Sequence, residues 1–330
     1  MRSRILGTGR YLPSRVVTNA EMSKLVTTSD EWIQQRTGVK ERRFVAPGEG
    51  PAEIGALAAR AALDAAGLKP GDIDFMICAT QTPQAMFPGT ACFIQKILDV
   101  PGIGALDVRD QCTGFLYGLS IADAYVRLGT YKRVLLVCPE VHSTGLDFTD
   151  RGRAITVLFG DGAGAVVVGP SESDGRGIRS VVLHADGRFS RDLITEAPGS
   201  IFNPQISHKL LDEGLHYPKM NGQQVFVQAV TRLVEVTQEI LGGNGLTVQD
   251  VDFFLPHQAN MRITESVGAR VGIPPAKTDN SIQKYGNCAA ASVPIALDER
   301  VRDGSIKEGD TVLMATFAAG FTWGAAVMDW

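Results

Sequence analysis

The sequence predicts an α/β fold built by internal duplication, with mostly parallel central sheets. Three observations predict it. Short apolar runs such as residues 73–79 and 133–138 alternate with stretches whose large apolar residues recur at helical spacing. That alternation implies parallel strands covered by helices. Residues 62–75 are echoed by residues 239–253, and residues 133–168 by residues 310–328, in the same order. The repeat is therefore one long βα unit used twice, not a short-period solenoid. Finally, 330 residues, 44% of them hydrophobic and 21% charged, suffice to bury a large core. The polar, Gly-rich residues 170–177 suggest a division into halves 1–172 and 173–330.

Taken in order, residues 4–9 read as a strand with a Gly turn. Thr18-Asn19-Ala20-Glu21 and Ser29-Asp30-Glu31-Trp32 read as capped helix starts. Arg36 lies one turn beyond Trp32, a pairing that suits either a packed aromatic with a solvated neighbour or a platform for a flat ligand. Residues 52–66 form an Ala-rich helix ended by Gly67 and turned by Pro70-Gly71-Asp72. Residues 73–79 and 103–108 follow as strands, and residues 115–126 as a helix. Cys112 thus sits where a strand gives way to a helix. The helix dipole and free N–H groups there are expected to lower its pKa. Cys138, in strand 133–138, reads as core. The glycines of residues 158–168 precede a strand rather than a helix, so no phosphate cradle is expected.

In the second half, the strand at residues 251–255 ends at Pro256-His257-Gln258-Ala259-Asn260. The helix matching the one at Cys112 is expected to begin at Asn287. A pseudo-twofold assembly would turn Cys112, His257 and Asn287 toward one cleft. Cysteine, histidine and asparagine together suggest thioester or acyl chemistry, or cysteine hydrolysis.

Composition narrows the classes. A net charge of −4 gives nucleic-acid binding no bulk support. Five cysteines without a CxxC or zinc-type spacing argue against structural zinc and for a reducing compartment. Without a signal-peptide core or a long apolar run, a soluble cytoplasmic protein is expected.

Four motifs then stand in order: Gln111-Cys112-Thr113-Gly114-Phe115, Pro256-His257-Gln258-Ala259-Asn260, Tyr285-Gly286-Asn287 and Gly320-Phe321-Thr322-Trp323-Gly324. With Asp150-Arg151-Gly152 leading into residues 159–165, they resemble the motifs of the β-ketoacyl-acyl-carrier-protein synthase III family. The resemblance spans essentially the whole chain. It implies the thiolase-like, five-layered α-β-α-β-α fold and a homodimer. The implied partners are acyl-CoA and malonyl-acyl-carrier protein, with no metal or redox cofactor. It further implies that Cys112 takes the acyl group as a thioester, and that His257 and Asn287 stabilise the enolate formed when CO2 leaves. The backbone N–H groups of Cys112 and Ala319 would form an oxyanion hole.

The same resemblance implies a CoA site of Thr28, Trp32, Arg36, Arg151 and Asn260, with Trp32 on one face of the adenine and Arg151 on the other. Phe87 would close the partner's acyl pocket across the dimer. Arg262 and Arg270 would dock the acidic carrier protein. This chain departs from the family's pattern at several points. Ala318-Ala319-Gly320 replaces a glycine run, Cys288 stands where Thr or Ser is common, and Arg109-Asp110-Gln111 is unusually polar. Residues 193–219 form a longer segment, expected to shape the acyl pocket or its entrance. These departures keep a second reading open: a specialised relative that passes acyl groups to another acceptor in secondary metabolism, in polyketide, quinolone or ester formation.

Overall fold

Two sheets of matching strand order organise the chain, which is described here as a computed structural model covering residues 2–171 and 175–330. The division at 172/173 lies outside the described residues. The first half opens with β1 (Ser3–Tyr11), the small hairpin of β2 (Arg15–Thr18) and β3 (Glu41–Phe44), and between them α1 (Asn19–Met22) and α2 (Asp30–Thr37). Thr18 and Ser29 cap these helices as the sequence predicts, each side chain accepting an N–H of the first turn. Then come α3 (Pro51–Ala65), β4 (Phe75–Ala79), α4 (Thr90–Leu98), β5 (Gly104–Val108), α5 (Gly114–Arg127), β6 (Val134–Glu140), α6 (Arg153–Thr156) and β7 (Gly162–Pro170).

The second half repeats this plan. It runs β8 (Gly177–Ala185), β9 (Leu193–Ile194), α7 (His208–Asp212), β10 (Lys219–Met220), α8 (Gly222–Gly243), β11 (Phe253–Pro256), α9 (Met261–Val271), α10 (Ile282–Tyr285), α11 (Ser292–Arg302), β12 (Thr311–Ala318) and β13 (Thr322–Asp329). The sheet orders are β1-β7-β6-β4-β5 and β8-β13-β12-β11. A bridge from Phe254 to Thr278 stands where the first half has β5.

The sheets are mixed, which corrects the expectation of mostly parallel strands. Only β4–β5, β4–β6 and β11–β12 pair parallel; β1–β7, β6–β7, β12–β13 and β8–β13 are antiparallel. The reason is local. Between β12 and β13 only three residues intervene, too few for a crossover, so the chain must return antiparallel.

Five layers result. On the outside of the first sheet lie α3 and α4, on the outside of the second α8 and α9, and α5 and α11 are buried between the sheets. The central layer explains the apolar runs: Phe115, Leu116 and Leu119 on one helix and Val293, Ile295 and Leu297 on the other are all essentially inaccessible. Packing this large apolar surface on both sides is the main stabilising term of such a domain. Among the described residues, no helix is long and apolar enough to cross a membrane.

Candidate active site

A cavity of about 1320 Å³ opens where the two central helices begin. Cys112, His257, Asn287, Ala318, Ala319 and Gly320 all line it. The predicted convergence of Cys112, His257 and Asn287 is therefore observed.

Cys112 does not begin the α-helix. After β5 the chain makes a 3-10 turn, Gln111–Thr113, and α5 starts at Gly114. Gln111 holds a φ of 42°, a left-handed conformation that lifts the next residue out of the strand direction. Thr113 ties the turn down: its hydroxyl lies 2.7 Å from Asp110 O and 2.7 Å from the Thr322 hydroxyl of the other half. The expected lowering of the Cys112 pKa is reversed. Burial, followed by the carboxyl of Glu140, pushes the thiol up, and only its own backbone N–H opposes them. The side chain is 7% exposed, so the cost of desolvating a thiolate outweighs the dipole of the helix. The resting group is a thiol.

Asn287 is held where the halves touch. Its N–H donates to Leu158 O at 2.8 Å, and Gly160 N–H donates to Asn287 O at 3.1 Å. Two glycines permit this approach. Gly286 takes a φ of 68°, and a Cβ on Gly160 would fall 2.1 Å from Tyr285 O. The side-chain Oδ1 of Asn287 accepts from Ala289 N–H at 2.8 Å. That bond assigns the amide, leaving its NH2 group as a donor. The α-helix expected from Asn287 begins at Ser292, after a second 3-10 turn, Ala289–Ala291.

His257 follows β11, its N–H donating to Ala315 O at 2.8 Å. Nδ1 lies 2.7 Å from the Ser292 hydroxyl, which in turn lies 2.9 Å from Ala289 O. The hydroxyl has one proton to give. Donated to Ala289, it leaves Nδ1 protonated and Nε2 with a lone pair; donated to Nδ1, it makes Nε2 an N–H donor. Burial lowers the His257 pKa to about 3, so the ring is neutral at physiological pH. The sequence reading missed Ser292, whose signal was its place one residue beyond the turn.

The remaining expected residues divide. Trp32, Arg36, Asn260 and Arg262 line the cavity mouth. Asn260 caps α9, accepting from Arg262 N–H, and donates to Arg36 O at 2.9 Å, which joins α9 to α2. Thr28, Phe87, Arg151 and Arg270 are not among the lining residues. Thr28 has a buried hydroxyl without a partner. Phe87 is 86% exposed, and Arg270 is exposed on α9. Arg151 bonds Asp147 at 2.7 Å and lies 5.5 Å from the Tyr217 ring, over Gly214. The guanidinium over Trp32 is instead that of Arg153, at 4.9 Å, with Arg36 at 5.9 Å. Cys288 is buried behind the wall, its thiol toward Tyr285 O, and does not line the cavity. Residues 193–219 do form a wall, through Leu193, Ile194, Ala197, His216 and Pro218.

Comparison with known proteins gives a consistent result. The family model described as 3-oxoacyl-[acyl-carrier-protein (ACP)] synthase III matches residues 106–187, and that described as its C terminal matches residues 241–330. A relative named β-ketoacyl-[acyl-carrier-protein] synthase III, from Caldanaerobacter subterraneus subsp. tengcongensis, is 45% identical over 99% of this chain and 97% of its own length. One of the same name from Rhizorhabdus wittichii is 43% identical over 99% of each chain. The crystal structure of 3-oxoacyl-[acyl-carrier-protein] synthase III from Aquifex aeolicus superposes with a TM-score of 0.91 at 40% identity, covering 99% of this chain and 100% of that one. The priming β-ketosynthase of the R1128 polyketide pathway gives 0.90 at 35% identity, covering 99% and 96%.

Proposed function

Because the chain belongs to the β-ketoacyl-[acyl-carrier-protein] synthase III family and has its thiolase-like fold, we propose that it forms the first carbon–carbon bond of fatty-acid synthesis from an acyl-CoA and malonyl-acyl-carrier protein. The observation that carries this is the meeting of a thiol, an imidazole and a donor amide on one cavity wall.

The steps follow from the groups present. The Cys112 sulfur attacks the acyl-CoA carbonyl, CoA leaves, and the thiol proton ends on the CoA sulfur. Negative charge grows on the acyl oxygen, where the N–H groups of Cys112 and Ala319 serve as donors. The malonyl thioester then loses CO2, and its electron pair passes to the thioester oxygen as an enolate. His257, as the Nε2–H tautomer, and the Asn287 amide donate to that oxygen. The enolate carbon attacks the acyl-Cys carbonyl, Cys112 leaves as thiolate and takes up a proton, and 3-oxoacyl-carrier protein is released. The neutral state of His257 suits both steps, since the Ser292 hydroxyl can favour either tautomer.

Around this centre we assign CoA to the mouth formed by Trp32, Arg36 and Asn260, with Thr28 and Arg151 at its edge. Arg262 and Arg270, both on α9, suit an acidic carrier protein. The exposed Phe87 suits a homodimer in which it reaches the partner's acyl pocket. Five free thiols agree with a cytoplasmic setting. A second reading, another acceptor in a polyketide-type pathway, is favoured by the likeness to the priming β-ketosynthase and by the wall of residues 193–219.

Intact-mass measurement tests this. Wild type and Cys112→Ala are mixed with a panel of acyl-CoAs, then chased with malonyl-acyl-carrier protein. An adduct on wild type alone, discharged as 3-oxoacyl product with CO2, is expected. An adduct that the malonyl carrier cannot discharge favours the second reading.

A further inference from the structure

One polar group in the cavity wall has no part in this chemistry. His142 follows β6 and lines the cavity with Cys112 and His257. Its side chain is 7% exposed, and its ring packs on Phe159 with centroids 4.5 Å apart. Its backbone N–H donates to Asp161 Oδ1 at 2.7 Å, so the residue is fixed in place. Yet Nε2 is buried without a hydrogen-bond partner. Glu140 Oε2 stands 3.9 Å away, beyond hydrogen-bond reach. That carboxyl is already engaged by the Thr82 hydroxyl at 2.7 Å. A buried polar atom left unpaired is costly, and an apolar side chain of similar size would avoid the cost.

Glu140 is the electrostatic neighbour of both the Cys112 thiol and the His142 ring. The His257 ring acts on His142 as well, so the ring lies near the catalytic centre. A second buried nitrogen without a partner, Nδ1 of His216, lines the same cavity from residues 193–219. Two unpaired polar nitrogens thus stand in an otherwise largely apolar lining.

We propose that His142 is a specificity-determining residue: it selects acyl groups that carry a hydroxyl or oxo oxygen near the thioester, over alkyl groups of the same length. The proposal rests on the condensing-enzyme reading and deepens it. Burial keeps the ring neutral, so it offers one N–H and one lone pair. A hydroxyl can use either; an oxo group accepts the N–H. An alkyl group supplies neither and leaves the nitrogen unpaired. Sites built to hydrogen-bond a substrate oxygen reject the analogue lacking it more strongly than apolar pockets reject an extra methylene.

The test is a competition on the full-length enzyme between 3-hydroxybutyryl-CoA and butyryl-CoA in equal amounts. Intact mass reads the thioester formed on wild type, His142→Leu and His142→Gln. Wild type is expected to favour the hydroxyacyl group by roughly tenfold or more, the Leu variant to favour butyryl, and the Gln variant to keep part of the original preference. The same ratio in wild type and the Leu variant overturns the proposal. So does a wild type that prefers butyryl, a result that stands even if the Leu variant fails to fold. No adduct on wild type from a wider acyl-CoA panel would overturn the condensing-enzyme reading itself, and is thus distinct from an unchanged ratio.

Discussion

The two halves reach the active site with the same backbone and opposite side chains. In front of α5 and in front of α11 the chain makes a 3-10 turn, and each turn opens on a non-glycine residue with a φ of 42°, Gln111 in one half and Ala289 in the other. Such a conformation costs on the order of 1 kcal/mol or more, so the same strain is present twice. The next residue is Cys112 in one turn and Ala290 in the other. The sheet registers extend the match. Phe75 beside Val134 corresponds to Phe253 beside Val312. Counting along the strands sets Ala79 against His257 and Glu140 against Ala318. At these positions each half is small where the other is functional, while Asn287 falls opposite the large Arg109. The duplication supplies two strained turns and two strand ends, and the chemistry comes from filling them unequally.

The largest effect expected is on the turn residue itself. Cys112→Ala should fold, because alanine already occupies the equivalent turn, and should form no acyl adduct by intact mass. Adding Ala290→Cys to that variant should not restore the adduct, since Ala290 is packed in the core between the sheets. A restored adduct would mean that the turn alone makes the nucleophile. Next come the second-half donors. His257→Ala and Asn287→Ala should each slow condensation by roughly 10²–10³-fold while leaving Cys112 acylation measurable in a burst assay. Equal loss of both steps would contradict the division of labour.

A smaller effect is expected where the halves differ by one hydroxymethyl group. The residue after the turn is Gly114 in the first half and Ser292 in the second. A Cβ on Gly114 would meet the Ala79 Cβ at 3.2 Å, whereas Ser292 has room and reaches His257. Ser292→Gly copies the first half. It should lower kcat for condensation by about tenfold, the order of one lost hydrogen bond to a catalytic group, with KM for acyl-CoA unchanged and the pH profile of kcat displaced. A change confined to stability would reduce Ser292 to packing.

Much of this was legible in the sequence because duplication leaves a pattern. The repeat at residues 62–75 and 239–253, the caps at Thr18 and Ser29 and the four motifs each depend on local chemistry that a linear reading detects. What escaped depends on distance. Strand direction after β6 and β12 depends on where the chain goes next. The pKa of Cys112 depends on Glu140, 28 residues away, and on burial, which together outweigh a dipole inferred from position alone. Arg151 and Arg153 are two residues apart, yet Arg151 lies beside Tyr217 and Arg153 over Trp32, bonded to Thr27 O, contacts set by residues far along the chain. Ser292 escaped because it acts through His257, 35 residues earlier in the chain.

The smallest effect expected concerns Glu140, the first half's hold on the second half's turn, since its carboxyl accepts the Ala290 N–H. Burial raises its pKa to about 8, against those hydrogen bonds. Between the ordinary carboxylate value of about 4.3 and 8, the folded protein keeps a proton that the unfolded chain releases. Stability therefore falls as pH rises through that window. His142 and His257 act in the opposite sense: both are lowered to about 3 by burial, so stability rises with pH from there to the ordinary histidine value of about 6.5. Wild-type Tm should therefore peak near the middle of the range and decline on the alkaline side. Glu140→Gln cannot ionise. Its Tm curve should flatten above neutrality and lie a few degrees above wild type near pH 8.5, with the difference gone or reversed at pH 5, where the protonated acid hydrogen-bonds as well as the amide. Parallel curves across the range would show that Glu140 is already ionised in the folded protein, held by the Thr80, Thr82 and Ala290 donors rather than penalised by burial.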